Sequence, residues 1–213
     1  MDLVVNNAID YVRSFFEGDF TGHDFSHTMR VFSLATKLAK IENAQLQIVQ
    51  LAALLHDVDD RKVSPHTTEE LINARTFLKS QNLDESVIEH ICHIITQVSF
   101  KGKDSVTPDT IEGLCVQDAD RLDALGAVGI ARAFAYGGAN HRVMYDPLVP
   151  PAVNMSEEEY FQSKSTTLNH FYEKLFLLKD MMNTSTARSI AEEREEYMKG
   201  FVERFLFEWE GKF

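Results

Sequence analysis

Apolar residues recur every three or four positions along most of this chain, the spacing that lines one face of a helix. Leu3, Val4, Ile9, Val12, Phe15 and Phe16 predict a first amphipathic helix ending near Gly18. Phe25 to Ala39 predicts a second, with Val31, Phe32, Leu34, Ala35 and Leu38 as its apolar positions. Gln45 to Asp57 predicts a third, rich in Leu and Ala, which are strong helix formers. Ser64-Pro65-His66-Thr67-Thr68-Glu69-Glu70, a polar cap region followed by acids, reads as a helix start. Val87 to Val98 keeps the helical spacing, Ser99 to Thr107 is a polar break, and another helix is expected from Pro108 to about Leu125.

Gly126, Gly129 and Gly137-Gly138 frame a small-residue segment able to pack closely. A loop follows, from about Tyr136 to Asn154, and holds three of the five prolines. A long structureless loop in a compact domain is commonly functional, so Gly137 to Asn154 is a candidate lid or substrate wall. Two long helical patterns close the chain, Ser156 to about Met182 and Thr184 to about Trp209. Each is apolar on one face and must cover something. Phe161, Phe171, Tyr172 and Phe176 read as core rather than as a stacking platform. No stretch alternates as a strand would. The expectation is an all-α fold: one domain over residues 1–213, a helical bundle about residues 20–135, with two long C-terminal helices, about 156–209, packed on it.

Composition narrows the function. Of 213 residues, 44% are hydrophobic and 25% charged, ordinary for a globular chain, and the formal net charge is -12. That excess of acid argues against nucleic acid and anionic membrane as partners. It leaves room for an anionic small molecule, because a bound cation reverses the field locally. Cys92 and Cys115 lie in apolar segments without a CxxC pattern, so a reduced, buried pair is expected. No apolar run approaches the roughly 20 residues needed to span a bilayer, and the N-terminus lacks the features of a secretion signal. The expected compartment is the cytoplasm, and the expected assembly a monomer or homodimer.

Histidines beside acids carry the candidate chemistry. His23, Asp24 and His27 fall in GHDFSHTMRV, His56-Asp57 in LAALLHDVDDRK, and Asp118, Asp120 and Asp123 in LCVQDADRLDALG. Leu51 to Leu55 are all apolar, so His56-Asp57 follows a buried helix. A buried ionised Asp is costly unless paired or bound to a metal. Nearby Arg or Lys can also satisfy it, and spacing alone leaves a metal site and a metal-free polar core both open. Two imidazoles with carboxylates suit a divalent first-row metal. No P-loop, GxGxxG or nucleophile elbow is present.

The arrangement resembles the HD superfamily of metal-dependent phosphohydrolases, whose pattern is a lone His, an HD dipeptide and a distant Asp on helices. The matching residues are His27, His56-Asp57 and Asp120, with His27 and His56 29 positions apart and Asp57 and Asp120 63 positions apart. GHDFSHTMRV, LHDVDDRK, VQDADRLDALGAVGIARAF and HFYEKLFLLKDMMNT further resemble a subgroup of small bacterial HD enzymes acting as nucleoside triphosphate pyrophosphohydrolases. The likeness spans nearly the whole chain.

The resemblance implies one divalent metal, manganese in the first instance (Mg2+, Fe2+, Co2+, Ni2+ or Zn2+ as alternatives), held by His27, His56, Asp57 and Asp120. The rival fourth ligand, Asp118, is set aside because the family pattern aligns with Asp120. It implies Asp60 as the acid that activates the attacking water and Lys62 as a catalytic or phosphate-binding base. His23, one turn before His27, either contacts phosphate or orients Asp24. Arg30, His93, His170 and Lys174 are candidate substrate contacts, the last two sharing a helical face. The implied activity is hydrolysis of a nucleoside or deoxynucleoside triphosphate to monophosphate and pyrophosphate. Nucleotide monophosphatase, alarmone hydrolase and non-catalytic sensor are the alternatives.

Overall fold

The structure, a computed structural model, describes residues 2–18, 24–61, 63–153, 155–156, 158–159 and 165–213. The chain divides into two compact units, Met1–Phe100 with Ser105–Asp120, and Lys101–Asp104 with Arg121–Phe213. Among the described residues no strand forms, and no helix is long and apolar enough to cross a membrane.

The first unit is built from α1 (Leu3–Phe15), α2 (Phe25–Ile41), α3 (Leu46–Leu55), α4 (Ile72–Ser80), α5 (Glu85–Val98) and the part of α6 (Ile111–Asp123) that ends at Asp120. Asp2 caps α1 by accepting from the Val4 amide at 3.0 Å, and Asp24 caps α2 by accepting from the His27 amide at 2.7 Å. The C-terminal half of α3 is apolar all round, with Leu51, Ala52, Ala53, Leu54 and Leu55 fully buried. A helix of that kind belongs at the centre of its unit, and α1, α2 and α5 pack against it. The outer helices are amphipathic. α1 turns Val5, Ala8 and Val12 inward, and α2 turns Val31, Phe32, Ala35 and Leu38 inward. Cys92 and Cys115 are free and buried, as the sequence predicts.

Two expectations are corrected here. α3 ends at Leu55 rather than Asp57, so His56 and Asp57 sit in the turn after it. The segment from Ser64 to Glu70 is not the first turn of a helix. α4 begins at Ile72, behind Leu71, which takes a left-handed conformation with φ 50°. The Thr67 and Thr68 hydroxyls spend their hydrogen bonds on the Ser64 carbonyl instead of capping, a local competition open to short polar side chains.

The second unit contains a 3-10 turn (Gly102–Asp104), α7 (Gly126–Ala139), α8 (Asn169–Glu173), a 3-10 helix (Leu175–Met181) and α9 (Ser185–Trp209). Thr184 caps α9 by accepting from the Ala187 amide at 3.2 Å. A side chain at Gly129 would collide with the Ala124 carbonyl, so the tight passage into α7 requires glycine there. α9 is the long C-terminal helix that the periodicity predicts. The helix expected from Ser156 to Met182 is instead broken between Ser165 and Met182 into α8 and the 3-10 segment. The reason lies in its hydrogen bonds. The Thr167 and Leu168 amides donate to the Val143 and Met144 carbonyls at 3.0 and 2.9 Å, which a continuous helix would not permit.

The same bonds fasten the Pro-rich loop. Asn169 Nδ2 donates to the Val149 carbonyl at 2.8 Å, and the buried Glu173 carboxylate accepts from the Ala152 amide at 3.0 Å and from the Ser165 hydroxyl at 2.6 Å. The stretch from Val143 to Ala152 is therefore tied down at four points rather than hanging free. Phe171 is fully buried and stacks on Phe201, with Phe134 and Phe176 at its edges. Tyr172 departs from the expected core position and is exposed, and Phe161 lies outside the described residues.

Candidate metal centre

The first turn of α2, the end of α3 and the last turns of α6 bring four side chains to one point of the first unit. Because the Asp24 carboxylate holds the His27 amide, the first turn of α2 is fixed and His27 is turned fully inward. His56 follows the last residue of α3. Its Nδ1 lies 2.9 Å from the Ala53 carbonyl, which assigns the ring proton to Nδ1 and leaves the Nε2 lone pair facing inward. Among the described residues that buried Nε2 has no hydrogen-bond partner.

Asp57 lies between the two imidazoles. Its Oδ2 is 3.2 Å from His27 Nε2 and its Oδ1 is 3.4 Å from His56 Nε2. Asp120 Oδ1 is 3.6 Å from His27 Nε2 and 3.8 Å from His56 Nε2. The imidazole rings meet edge to face, 5.3 Å between centroids. Adjacent donors about 2.1 Å from a shared ion lie roughly 3–3.5 Å from one another. The two Asp57–imidazole distances fall in that range, and His27, His56 and Asp57, all buried, bring their ligand atoms within 4.8 Å of one another. Asp120 closes it on the side where its carboxylate is 27% exposed. A buried imidazole nitrogen without a hydrogen bond, facing carboxylate oxygens, fits a divalent cation with mixed nitrogen and oxygen ligands. Asp120, rather than the fully buried Asp118, presents its oxygen to both imidazoles.

The other predicted residues divide by position. Asp60 is half-buried, at the end of the same turn as His56-Asp57, and its carbonyl accepts from the Val63 and Ser64 amides. Arg30 is half-buried one turn along α2 from His27. Lys62 and His23 lie outside the described residues. His93 is engaged elsewhere. Its Nε2 lies 2.9 Å from an Asp109 oxygen, and the bond holds the Asp109 carboxyl below the ordinary range. His93 also borders an open groove of about 620 Å³ between α4 and α5, with Arg75, Lys79, Glu89 and Thr96 among its walls. His170 and Lys174 belong to the second unit, where the Lys174 amide donates to the His170 carbonyl at the end of α8. Arg121, beside Asp120 in sequence, has a structural task there: it is buried and donates to the Met181 carbonyl.

Sequence reasoning missed Asp59. It is 1% exposed and accepts two backbone amides from α4, Asn73 N at 3.1 Å and Ala74 N at 2.9 Å. The sequence offered no signal for it, because the start of α4 at Ile72, with Leu71 and not a capping side chain before it, emerges only in the structure.

Residues 24–125 match the HD domain family. The chain is 40% identical over 194 residues to YpgQ of Bacillus subtilis, covering 90% of this chain and 87% of that one. A solved structure of YpgQ in complex with ADP superposes with a TM-score of 0.75 at 38% identity, covering 96% of each chain. A solved structure from Lactobacillus plantarum gives a TM-score of 0.89 at 39% identity, over 100% of this chain and 99% of that one. An HD-superfamily hydrolase of Bacillus thuringiensis gives 0.75 at 41% identity, over 98% and 97%. HD domains bind divalent metals, and the His/Asp cluster described above falls at the positions of the HD pattern. The chain therefore belongs to the HD domain family and has the fold of an HD-superfamily hydrolase.

Proposed function

We propose that this protein is a manganese-dependent phosphohydrolase that converts nucleoside or deoxynucleoside triphosphates to the monophosphate and pyrophosphate. The observation that carries the proposal is the convergence of His27, His56, Asp57 and Asp120, with each imidazole Nε2 3.2 to 3.8 Å from an oxygen of each carboxylate. Those four residues would hold the ion. When bound, it supplies Lewis acidity toward a phosphoryl oxygen and lowers the pKa of a water. That YpgQ was solved with ADP supports a nucleotide as the substrate class.

The protein's own groups then divide the work. His56 presents Nε2 because the Ala53 carbonyl engages Nδ1. Asp57 sets the spacing of the two imidazoles by lying between them. Asp60 accepts the proton of the attacking water, a role suited to a positioned carboxylate. Hydrolysis of the α–β anhydride adds the elements of water across that bond, and pyrophosphate leaves. Lys62 and Arg30 supply positive charge to the phosphate oxygens, and His23 is a further phosphate contact. His93 is a further substrate contact on α5, its Nε2 already hydrogen-bonded to Asp109.

The test is a panel of nucleotides offered to the manganese-loaded protein, with the products separated. Monophosphate and pyrophosphate in equal amounts are expected. Inorganic phosphate without pyrophosphate would replace this reaction with a monophosphatase. No turnover at all, with the metal verified bound, would leave a non-catalytic sensor.

A further inference from the structure

We propose that Asp59 and Asn73 are a positioning pair that holds the turn carrying two of the metal-site residues against the start of α4. The inference rests on the metal site proposed above and assigns a task to residues outside it. α4 opens behind Leu71, which is left-handed and offers no capping side chain. The amides of the first helical turn therefore need acceptors from elsewhere. Asp59 supplies both from fourteen and fifteen positions upstream, Oδ1 to the Asn73 amide and Oδ2 to the Ala74 amide. Its negative charge also lies at the positive end of the α4 dipole.

The tie is reciprocal. Asn73 Nδ2 donates to the Val58 carbonyl at 3.0 Å and to the Thr67 hydroxyl at 3.2 Å. Side chain 59 thus holds backbone 73–74, and side chain 73 holds backbone 58, in the manner of a capping box stretched across two segments. What it staples is short. α3 has ended at Leu55, and the turn beyond it is closed by the Val58 amide to the Leu55 carbonyl at 3.3 Å and the Asp60 amide to the Asp57 carbonyl at 3.1 Å. Asp57 and Asp60 lie on that turn, on either side of the stapled peptides. His56 is aimed by its own bond to Ala53. The Asp59–Asn73 pair does the corresponding work for the two carboxylates. Rotation of the 57–60 peptides would move Asp57 off the imidazoles and Asp60 off the substrate together.

A residue that only stabilises the fold would lower the melting temperature and nothing more. The experiment therefore compares Asp59→Ala, Asp59→Asn and Asn73→Ala with Val12→Ala, a fully buried α1 position in the same unit. Manganese affinity is read by calorimetric titration well below each variant's melting temperature, and KM and kcat are read with the nucleotide found in the panel. Asp59→Ala is expected to weaken manganese binding by about ten- to a hundredfold, the usual effect of losing a group that orients a metal ligand. Its kcat should fall more than its KM rises. Asp59→Asn keeps one acceptor oxygen and should fall between Asp59→Ala and the wild type. Val12→Ala should melt earlier yet bind manganese as the wild type does. If Asp59→Ala is poorly folded, Asp59→Asn and Asn73→Ala carry the same comparison. Variants that melt early but keep their manganese affinity and kcat would reduce Asp59 to an ordinary cap and overturn the inference. A wild-type protein that binds no manganese would instead remove the proposed metal site, and the titration needs no substrate to distinguish the two.

Discussion

Replacing Asp57 with Asn tests the metal centre at its middle. The carboxylate is 6% exposed and its oxygens lie 3.2 and 3.4 Å from His27 and His56. Asn keeps the shape, removes the charge and turns one acceptor into a donor. An ion that binds only the folded chain stabilises it by RT ln(1 + [L]/Kd), about 2.7 kcal/mol at a hundredfold excess over Kd. For a chain of this size each kcal/mol moves the melting temperature by about 2–4 °C. Manganese at that excess should therefore raise the wild-type midpoint by roughly 5–11 °C. If Asn lowers affinity a hundredfold, the same concentration only equals Kd. The gain is then about 0.4 kcal/mol, roughly 1 °C. Scanning fluorimetry with and without manganese reads this directly, each variant being its own reference. Asp118→Asn is the companion, because Asp118 is buried two positions from Asp120, whose oxygen is the one 3.6 and 3.8 Å from the two imidazoles. It should lower the metal-free midpoint and keep the manganese shift. An undiminished shift in Asp57→Asn, or its loss in Asp118→Asn with retention in Asp120→Asn, would refute the ligand assignment.

Asp60→Asn should retain the manganese shift and lose roughly two to four orders of magnitude in kcat, measured by pyrophosphate release. Leu54→Ala, at a fully buried position of α3, should cost about 2–5 kcal/mol in urea unfolding. Glu173→Leu should free the loop by removing the acceptor for Ala152 and Ser165, and limited proteolysis should then cut between residues 143 and 152 faster than in the wild type. Burial pushes the Cys92 thiol up to about 11 and the Cys115 thiol to about 12, from an ordinary 9.0. The unfolded chain therefore ionises first. The stability these thiols contribute is complete below about pH 9 and is lost as pH rises through about 11 to 12, which alkaline melting curves would record. Thiol titration at neutral pH should find neither cysteine until the protein is denatured.

The first unit was the more legible part of the molecule because its signals are local. The apolar run from Leu51 to Leu55 continues a Leu- and Ala-rich helical stretch, and a His-Asp pair directly after such a run has few ways to avoid a desolvation penalty. His27 and Asp120 were legible through the resemblance, since nothing in their own flanks distinguishes Asp120 from Asp118. The α4 start was misplaced because Ser64 to Glu70 has the composition of a cap without its hydrogen bonds. The break between Ser165 and Met182 was invisible for a different reason. Phe171, Leu175 and Leu178 keep helical spacing, and all three are buried. What keeps Thr167 and Leu168 out of a helix is a pairing with Val143 and Met144, more than twenty positions away. Periodicity records which side of a segment is apolar. It does not record which distant carbonyl takes its amides.

The HD pair sits just past a helix end, and that position explains why the site needed help that the motif does not spell out. Within α3 each side chain is aimed by a backbone fixed through hydrogen bonds to the next turn. Past Leu55 that support stops, and a metal ligand tolerates little misplacement. Three devices replace it. The Ala53 carbonyl, the last turn of the helix itself, fixes the ring of His56. Asp24 fixes the first turn of α2 under His27. Asp59 and Asn73 fix the turn behind Asp57. Each uses a helix terminus, where amides or carbonyls are in surplus, as the anchor. The proposed ligands lie near helix ends. The same geometry explains why the capping acids cluster so near the ligands in sequence: Asp24 is three positions from His27, and Asp59 is two from Asp57. An acid next to the HD pair is thus no guide by itself to catalysis. Asp59 faces the α4 amides and is consumed by them, whereas Asp60, one position on, remains the candidate base.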